Sequence, residues 1–69
     1  MEVVVEQEPI ELYKVLKLAN LVQSGGEAKF VIMEGLVHVD NKPEKRKRRK
    51  ISLENIVKFE GNEIRIVLK

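Results

Sequence analysis

The sequence predicts an α+β protein in which two helices pack on a small, mostly antiparallel sheet. Apolar residues recur at spacings of three and four in the first half of the chain, which is typical of helices. They alternate with polar residues in the second half, which is typical of strands. The 69 residues, of which 43% are hydrophobic, suffice for one modest core, so we expect a single domain over residues 1–69.

The N-terminal segment "EVVVE" predicts a short strand, because β-branched residues favour extended backbone. It is expected at an edge of the sheet, pairing with a later segment. If that edge stays uncovered, residues 3–5 are able to pair with a second chain.

The segment "EPIELYKVLKLANLV", residues 8–22, predicts the first helix. Pro9 suits the first helical turn, where the N–H that proline lacks has no intrahelical partner. One apolar stripe at helical spacing is expected to face the core, formed by Leu12, Val15, Leu16, Ala19 and Val22.

The segment "SGGEAKFVIMEG" predicts a second helix that begins after Ser24 and ends at Gly35. Ser24 is expected to cap the helix, and the Glu27 carboxylate to accept a hydrogen bond from the N–H of Ser24 in return. Unpaired N–H groups at a glycine-rich helix start also favour phosphate, although the Walker pattern is absent. The face predicted to be buried consists of Ala28, Val31 and Ile32.

Strands are predicted for residues 36–40, 56–59 and 63–68, with turns at "DNKP" and "EGN". Aromatic residues are few. Phe30 and Phe59 are expected in or near the core, and Tyr13 is expected to face outward.

Positive charge is concentrated between residues 42 and 50. This segment holds seven Lys or Arg residues and one Glu, a net +6, whereas the whole chain carries only +2. Such a distribution favours a polyanionic partner, because the guanidinium and ammonium groups attract phosphate strongly. The alternative is an ordinary solvated charge run, but the segment lies between predicted strands rather than in a linker.

The residues needed for catalysis are scarce. His38 is the only histidine and cysteine is absent, so we expect neither an enzyme nor a metal or cofactor site. No small-molecule substrate is expected. No apolar run is long enough for a membrane span, and the N-terminus is acidic where a signal peptide is basic. We therefore expect a cytoplasmic protein that does not bind membranes.

The order helix, "SGGEAK" helix, "GLVHVD" strand, basic segment and strand resembles the S-four-type RNA-binding domain, also called the alpha-L motif. The likeness is to its stand-alone bacterial form and covers residues 10–67. Three positions depart from the family pattern. Asp40-Asn41 replaces an Asn-Gly turn, Arg48 replaces a glycine, and Glu54-Asn55 replaces Gly-Asp.

The resemblance implies binding of structured RNA, either ribosomal RNA or tRNA, through a helix start and a basic hairpin loop. Two alternatives remain open: docking of the basic loop on an acidic protein partner, and binding of DNA. The residues that the resemblance and the charge pattern together assign to RNA binding are Lys14, Lys17, Ser24, Gly25, Gly26, Lys29, Asn41, Lys42, Lys45, Arg46, Lys47, Arg48, Arg49 and Lys50.

Overall fold

The computed structural model of the chain describes residues 1–69 and contains two helices and seven strands. In chain order these are β1 (Glu2–Val5), β2 (Ile10–Glu11), α1 (Leu12–Leu18), α2 (Gly25–Met33), β3 (Val37–Val39), β4 (Lys42–Pro43), β5 (Lys50–Ile51), β6 (Val57–Phe59) and β7 (Asn62–Leu68).

Five of the strands form one sheet in the order β1-β7-β6-β3-β4. The pairings of β7 with β6, β6 with β3 and β3 with β4 are antiparallel, and β1 pairs with β7 in parallel. The predicted mostly antiparallel sheet with β1 at its edge is confirmed. The two remaining strands, β2 and β5, form a separate antiparallel pair that the sequence pattern did not predict.

Two-residue turns close both β-hairpins of the chain. Asp40 and Asn41 join β3 to β4 with φ angles of 52° and 69°, and Glu60 and Gly61 join β6 to β7 with φ angles of 53° and 79°. Positive φ at both central residues matches the right-handed twist of the flanking strands. Asn41 therefore adopts the positive φ that is expected of the glycine it replaces in the Asn-Gly turn of the S-four-type pattern.

The first helix is shorter than predicted. Residues 8–11 are not helical, because Ile10 and Glu11 pair instead with Ile51 and Lys50. The helix ends at the cap residue Ala19, and Asn20 follows with a φ of 62°. The predicted apolar stripe is nevertheless mostly buried: Leu12, Val15 and Leu16 lie in the core, Val22 joins it from the turn between the helices, and Ala19 is half-buried.

The second helix begins and ends as predicted, with one difference at its start. Ser24 Oγ accepts a hydrogen bond from the Glu27 N–H at 3.0 Å. The Glu27 carboxylate, however, accepts its bond from the N–H of Gln23 at 2.6 Å and not from that of Ser24. Gly35, with a φ of 77°, terminates the helix.

The prediction that Phe30 lies in or near the core is wrong, since its side chain is 62% exposed. Ala28 and Ile32 are fully buried on α2, and Phe30 lies two residues from each. At about 100° per residue, Phe30 points away from both by roughly 200°, so the helix buries its small and branched residues and leaves the ring outside. Val31 is half-buried, and Phe59 is buried as predicted.

One core joins both helices to the inner face of the sheet. Alternate residues of β1, β3, β6 and β7 are buried, and both β5 and the turn after α1 contribute to the same cluster. The cluster consists of Val3, Val5, Leu12, Val15, Leu16, Val22, Ala28, Ile32, Val37, Val39, Ile51, Val57, Phe59, Ile64 and Ile66.

Neither helix, at seven and nine residues, is long and apolar enough to cross a membrane.

Candidate nucleic-acid interface

The basic segment, residues 42–50, connects the two sheets. It begins in β4, which pairs with β3, and ends in β5, which pairs with β2. Since β4 and β5 do not pair with each other, the segment is not the loop of a β-hairpin as predicted. It passes instead over the start of α1.

Backbone hydrogen bonds hold the basic segment on that helix start. The N–H of Leu12 donates to the carbonyl oxygen of Arg49 at 2.8 Å, and the N–H of Tyr13 donates to that of Lys47 at 3.0 Å. Within the segment the N–H of Arg49 donates to the carbonyl oxygen of Arg46 at 3.2 Å. Helix N–H groups that lack an intrahelical partner are thus paired, and the segment has a defined path.

Glu44 lies inside the basic segment and is only 8% exposed. Its carboxylate accepts hydrogen bonds from Arg46 Nε at 3.0 Å, from Arg46 Nη2 at 3.3 Å and from Arg49 Nη1 at 2.7 Å. The backbone N–H of Arg46 donates to the same carboxylate at 3.1 Å. These bonds, those from the Arg46 side chain first, lower the pKa of Glu44 to about 2 against the opposing effect of burial.

A second carboxylate, that of Glu11, faces three cations with looser geometry. Its oxygens lie 3.4 Å from Arg48 Nη1, 3.6 Å from Lys14 Nζ and 4.0 Å from Lys50 Nζ. Burial raises the pKa of Glu11, but the charges of Lys50, Arg48 and Lys14 outweigh it, so the net shift is downward. The structure therefore brings Lys14 of α1 into one cluster with the basic segment.

Five consecutive basic residues line an open cleft of about 600 Å³ in this segment. Arg48 and Lys50 have well exposed side chains, whereas Lys47 and Arg49 are half-buried. A concave surface lined only by cations concentrates positive potential and suits an anionic ligand. The cleft is lined by Arg46, Lys47, Arg48, Arg49 and Lys50.

The Tyr13 ring lies beside this cluster. It is half-buried against the core, and the ammonium groups of Lys14 and Lys47 lie 5.9 Å and 5.8 Å from its centroid. The expected outward orientation is thus only partly correct. The two cation–π contacts hold the lysines near the ring and leave less of its surface free for stacking.

The other predicted site residues are spread over α1, the first half of α2, the turn between β3 and β4 and the beginning of the basic segment. Lys17, Lys29 and Lys42 are exposed on α1, α2 and β4, and the aliphatic chain of Lys45 lies against Gly35. Asn41 Oδ1 accepts a hydrogen bond from Lys58 Nζ at 2.9 Å. At the start of α2 the hydroxyl of Ser24 is engaged in capping, whereas the N–H groups of Gly25 and Gly26 have no hydrogen-bond acceptor.

Sequence reasoning did not include Glu11 or Glu44 among the site residues. One signal was present for Glu44: it is the single acid within a run of seven cations, two residues before Arg46 and five before Arg49. No group of His, Cys, Asp or Glu side chains has an arrangement that would hold a metal ion.

The chain is thus a small α+β domain with a cation-lined cleft, a surface that suits an anionic partner. The family model of the S4 domain matches residues 3–67, and the chain belongs to this family. The predicted resemblance is confirmed.

Two bacterial relatives match most of the chain. One is the Bacillus subtilis protein named "Probable ribosome maturation protein RlbA", 40% identical over 57 residues, which are 83% of this chain and 80% of the relative. The other is YbcJ of Escherichia coli, 43% identical over 58 residues, which are 84% of this chain and 83% of YbcJ.

A solved structure confirms the predicted fold. The solution structure of Escherichia coli YbcJ superposes with a TM-score of 0.70 at 39% identity, covering 96% of this chain and 85% of YbcJ. That structure is described as revealing an αL motif involved in RNA binding. The two helices and the mostly antiparallel sheet of the present chain thus form the alpha-L motif.

Proposed function

We propose that this chain is a non-catalytic, cytoplasmic RNA-binding protein that recognises structured RNA, either ribosomal RNA or tRNA. The observation that carries the proposal is the cleft lined by residues 46–50 within a segment of net charge +6. Its membership of the S4 family and its similarity to YbcJ, whose motif is described as involved in RNA binding, support the same function.

The chemistry of the cleft favours the phosphate backbone over the bases. Arginine forks and lysine ammonium groups bind phosphate oxygens without reading sequence. Surfaces for base stacking are limited to the exposed ring of Phe30, because Phe59 is buried and two lysine ammonium groups lie over the ring of Tyr13. Folded RNA, in which closely spaced phosphates follow A-form geometry, suits such a surface.

Residues of both helices extend the proposed interface. Lys14 belongs to the same cluster as Arg48 and Lys50, since all three face Glu11. At the start of α2 the unpaired N–H groups of Gly25 and Gly26 are suited to a phosphate oxygen, and Lys29 is the fifth residue of the helix. We assign Lys17, Asn41, Lys42 and Lys45 to the margin of the interface.

Ribosomal RNA is the preferred candidate among structured RNAs. The relative RlbA is named as a ribosome maturation protein, and it matches 83% of this chain. Ribosomal RNA contains A-form stems whose closely spaced phosphates suit the basic segment. Transfer RNA offers comparable stems and is the second candidate.

The test is binding to a ribosomal RNA stem–loop, measured by fluorescence anisotropy across a salt series. The test variant, Lys47→Gln/Arg48→Gln, removes two charges from the segment and keeps Arg46 and Arg49 on Glu44. The control variant, Arg65→Gln/Lys69→Gln, removes two charges from β7 and the C-terminus.

We expect the test variant to bind more weakly, and its slope of log Kd against log salt to fall by about 0.7–0.9 for each phosphate that the variant no longer neutralises. The control variant should change both quantities much less. Equal losses in the two variants would contradict a localised site, and no binding by the unmodified chain would contradict RNA binding altogether.

Two further measurements separate the alternatives. A DNA hairpin of the same sequence should bind more weakly, because it lacks the 2′-hydroxyl groups and the A-form geometry of RNA. Equal affinity for both would favour a general nucleic-acid binder. An acidic protein partner that excess RNA fails to displace from the basic segment would favour the protein-docking alternative.

A further inference from the structure

Glu44 is unusual among the charged residues of this chain. It is the only polar or charged residue that is buried, and it lies in the most basic segment of the sequence. If charge alone decided affinity, an acid at this position would only weaken the binding of an anion. Its contacts indicate a different role.

Both oxygens of Glu44 are used to fix arginine side chains. Arg46 donates through Nε and Nη2, which leaves three of its five N–H donors free, and its side chain remains 75% exposed. Arg49 donates through Nη1 at 2.7 Å and is 33% exposed. Each guanidinium is therefore anchored on one side and presents donors on the other.

We propose that Glu44 is a positioning residue for RNA binding, which holds Arg46 and Arg49 in the orientation that phosphate contacts require. This inference rests on the proposed function. An arginine that is already ordered loses less side-chain entropy when it binds, so a fixed pair binds more tightly than two mobile ones. The affinity gained in this way outweighs the repulsion between the carboxylate and the RNA.

Glu11 provides a matched control, because it is a second carboxylate in the same positive cluster. Its contacts with Lys14, Arg48 and Lys50 are longer, at 3.4–4.0 Å, and involve no backbone N–H. Removal of either charge has the same effect on net charge. Only removal of Glu44 frees two arginines that have short hydrogen bonds.

The experiment compares Glu44→Gln with Glu11→Gln in RNA binding across a salt series. We expect Glu44→Gln to bind roughly fivefold to tenfold more weakly, because the arginines become mobile and must be ordered on binding. Glu11→Gln should bind equally well or up to about threefold more tightly. Equal or tighter binding by Glu44→Gln would overturn the proposal.

A second variant and a measurement on the unmodified protein cover the case in which Glu44→Gln fails to fold. Glu44→Asp keeps the charge but is too short to reach both arginines, so weaker binding is expected, and unchanged affinity would overturn the proposal. In the free protein, ¹⁵N relaxation should show Arg46 Nε and Arg49 Nε almost as ordered as the backbone. Freely mobile side chains would equally overturn it.

These outcomes differ from failure of the proposed function. Absence of RNA binding by the unmodified chain at every salt concentration would contradict the proposed function itself. Binding that is retained or strengthened in Glu44→Gln would contradict only the role of Glu44.

Discussion

The backbone N–H of Leu12, the first residue of α1, donates a hydrogen bond of 2.8 Å to the carbonyl oxygen of Arg49. The same stretch of chain thus satisfies the helix start and carries the positive charges. Arg49 is followed by β5, whose Ile51 is fully buried in the core. The position of the basic segment therefore depends on the stability of the core beneath it.

Replacement of Ile51 by alanine should lower the free energy of unfolding by about 2–5 kcal/mol, because it leaves a cavity where a fully buried side chain packs. Urea unfolding followed by circular dichroism measures this. Leu53→Ala is the control: its side chain is 37% exposed, and a loss of about 1 kcal/mol or less is expected. Equal losses in the two variants would show that Ile51 does not anchor the segment.

Replacement of Gly26 by alanine should separate stability from RNA binding. A Cβ at Gly26 would meet only Ser24 Oγ at 3.8 Å, so the helix should gain about 0.5–1 kcal/mol. The added methyl group would obstruct the approach of a phosphate to the unpaired N–H groups, and RNA affinity should fall. Thermal unfolding and fluorescence anisotropy measure the two effects.

The control for Gly26→Ala is the variant Gly35→Ala. Its φ of 77° strains any residue with a Cβ, so stability should fall. RNA affinity should change little while the protein remains folded. A Gly26→Ala variant with higher stability and unchanged affinity would exclude the start of α2 from the interface.

Acid should weaken the fold partly through Glu44. The pKa of this carboxyl is lowered from 4.5 to about 2 in the folded chain, so its contribution to stability is fully present above pH 4.5 and is lost as the pH falls towards about 2. Urea unfolding of the native chain and of Glu44→Gln from neutral pH down to about pH 2 measures this contribution. The advantage of the native chain should shrink as the pH falls from 4.5 towards about 2, and a constant difference would contradict the assignment.

The larger elements were predictable because their patterns are long. The alternation in residues 56–68 and the apolar spacing from Leu12 to Leu16 each repeat often enough to indicate a period. The pair of β2 and β5 has only two residues in each strand, so no alternation is visible, and Pro9 matched a helix start equally well.

The features that were missed depend on tertiary contacts. Hydrophobicity alone placed Phe30 in the core, but the smaller residues of α2 face inward. The bond between Glu27 and Gln23 differs from the expected capping pattern by one residue, which local sequence does not resolve. The role of Glu44 depends on the path of the basic segment over α1, which brings Arg46 and Arg49 around a single carboxylate.

The five-stranded sheet ends at β4 in an edge strand that disfavours pairing with a second chain. This edge strand has only two residues, Lys42 and Pro43, and proline lacks the N–H that a further strand would need. Growth of the sheet by addition of a foreign strand is therefore blocked beside the basic segment. The other edge, β1, lies at the far side of the sheet, so a dimer or an aggregate that formed there would leave the charged surface uncovered.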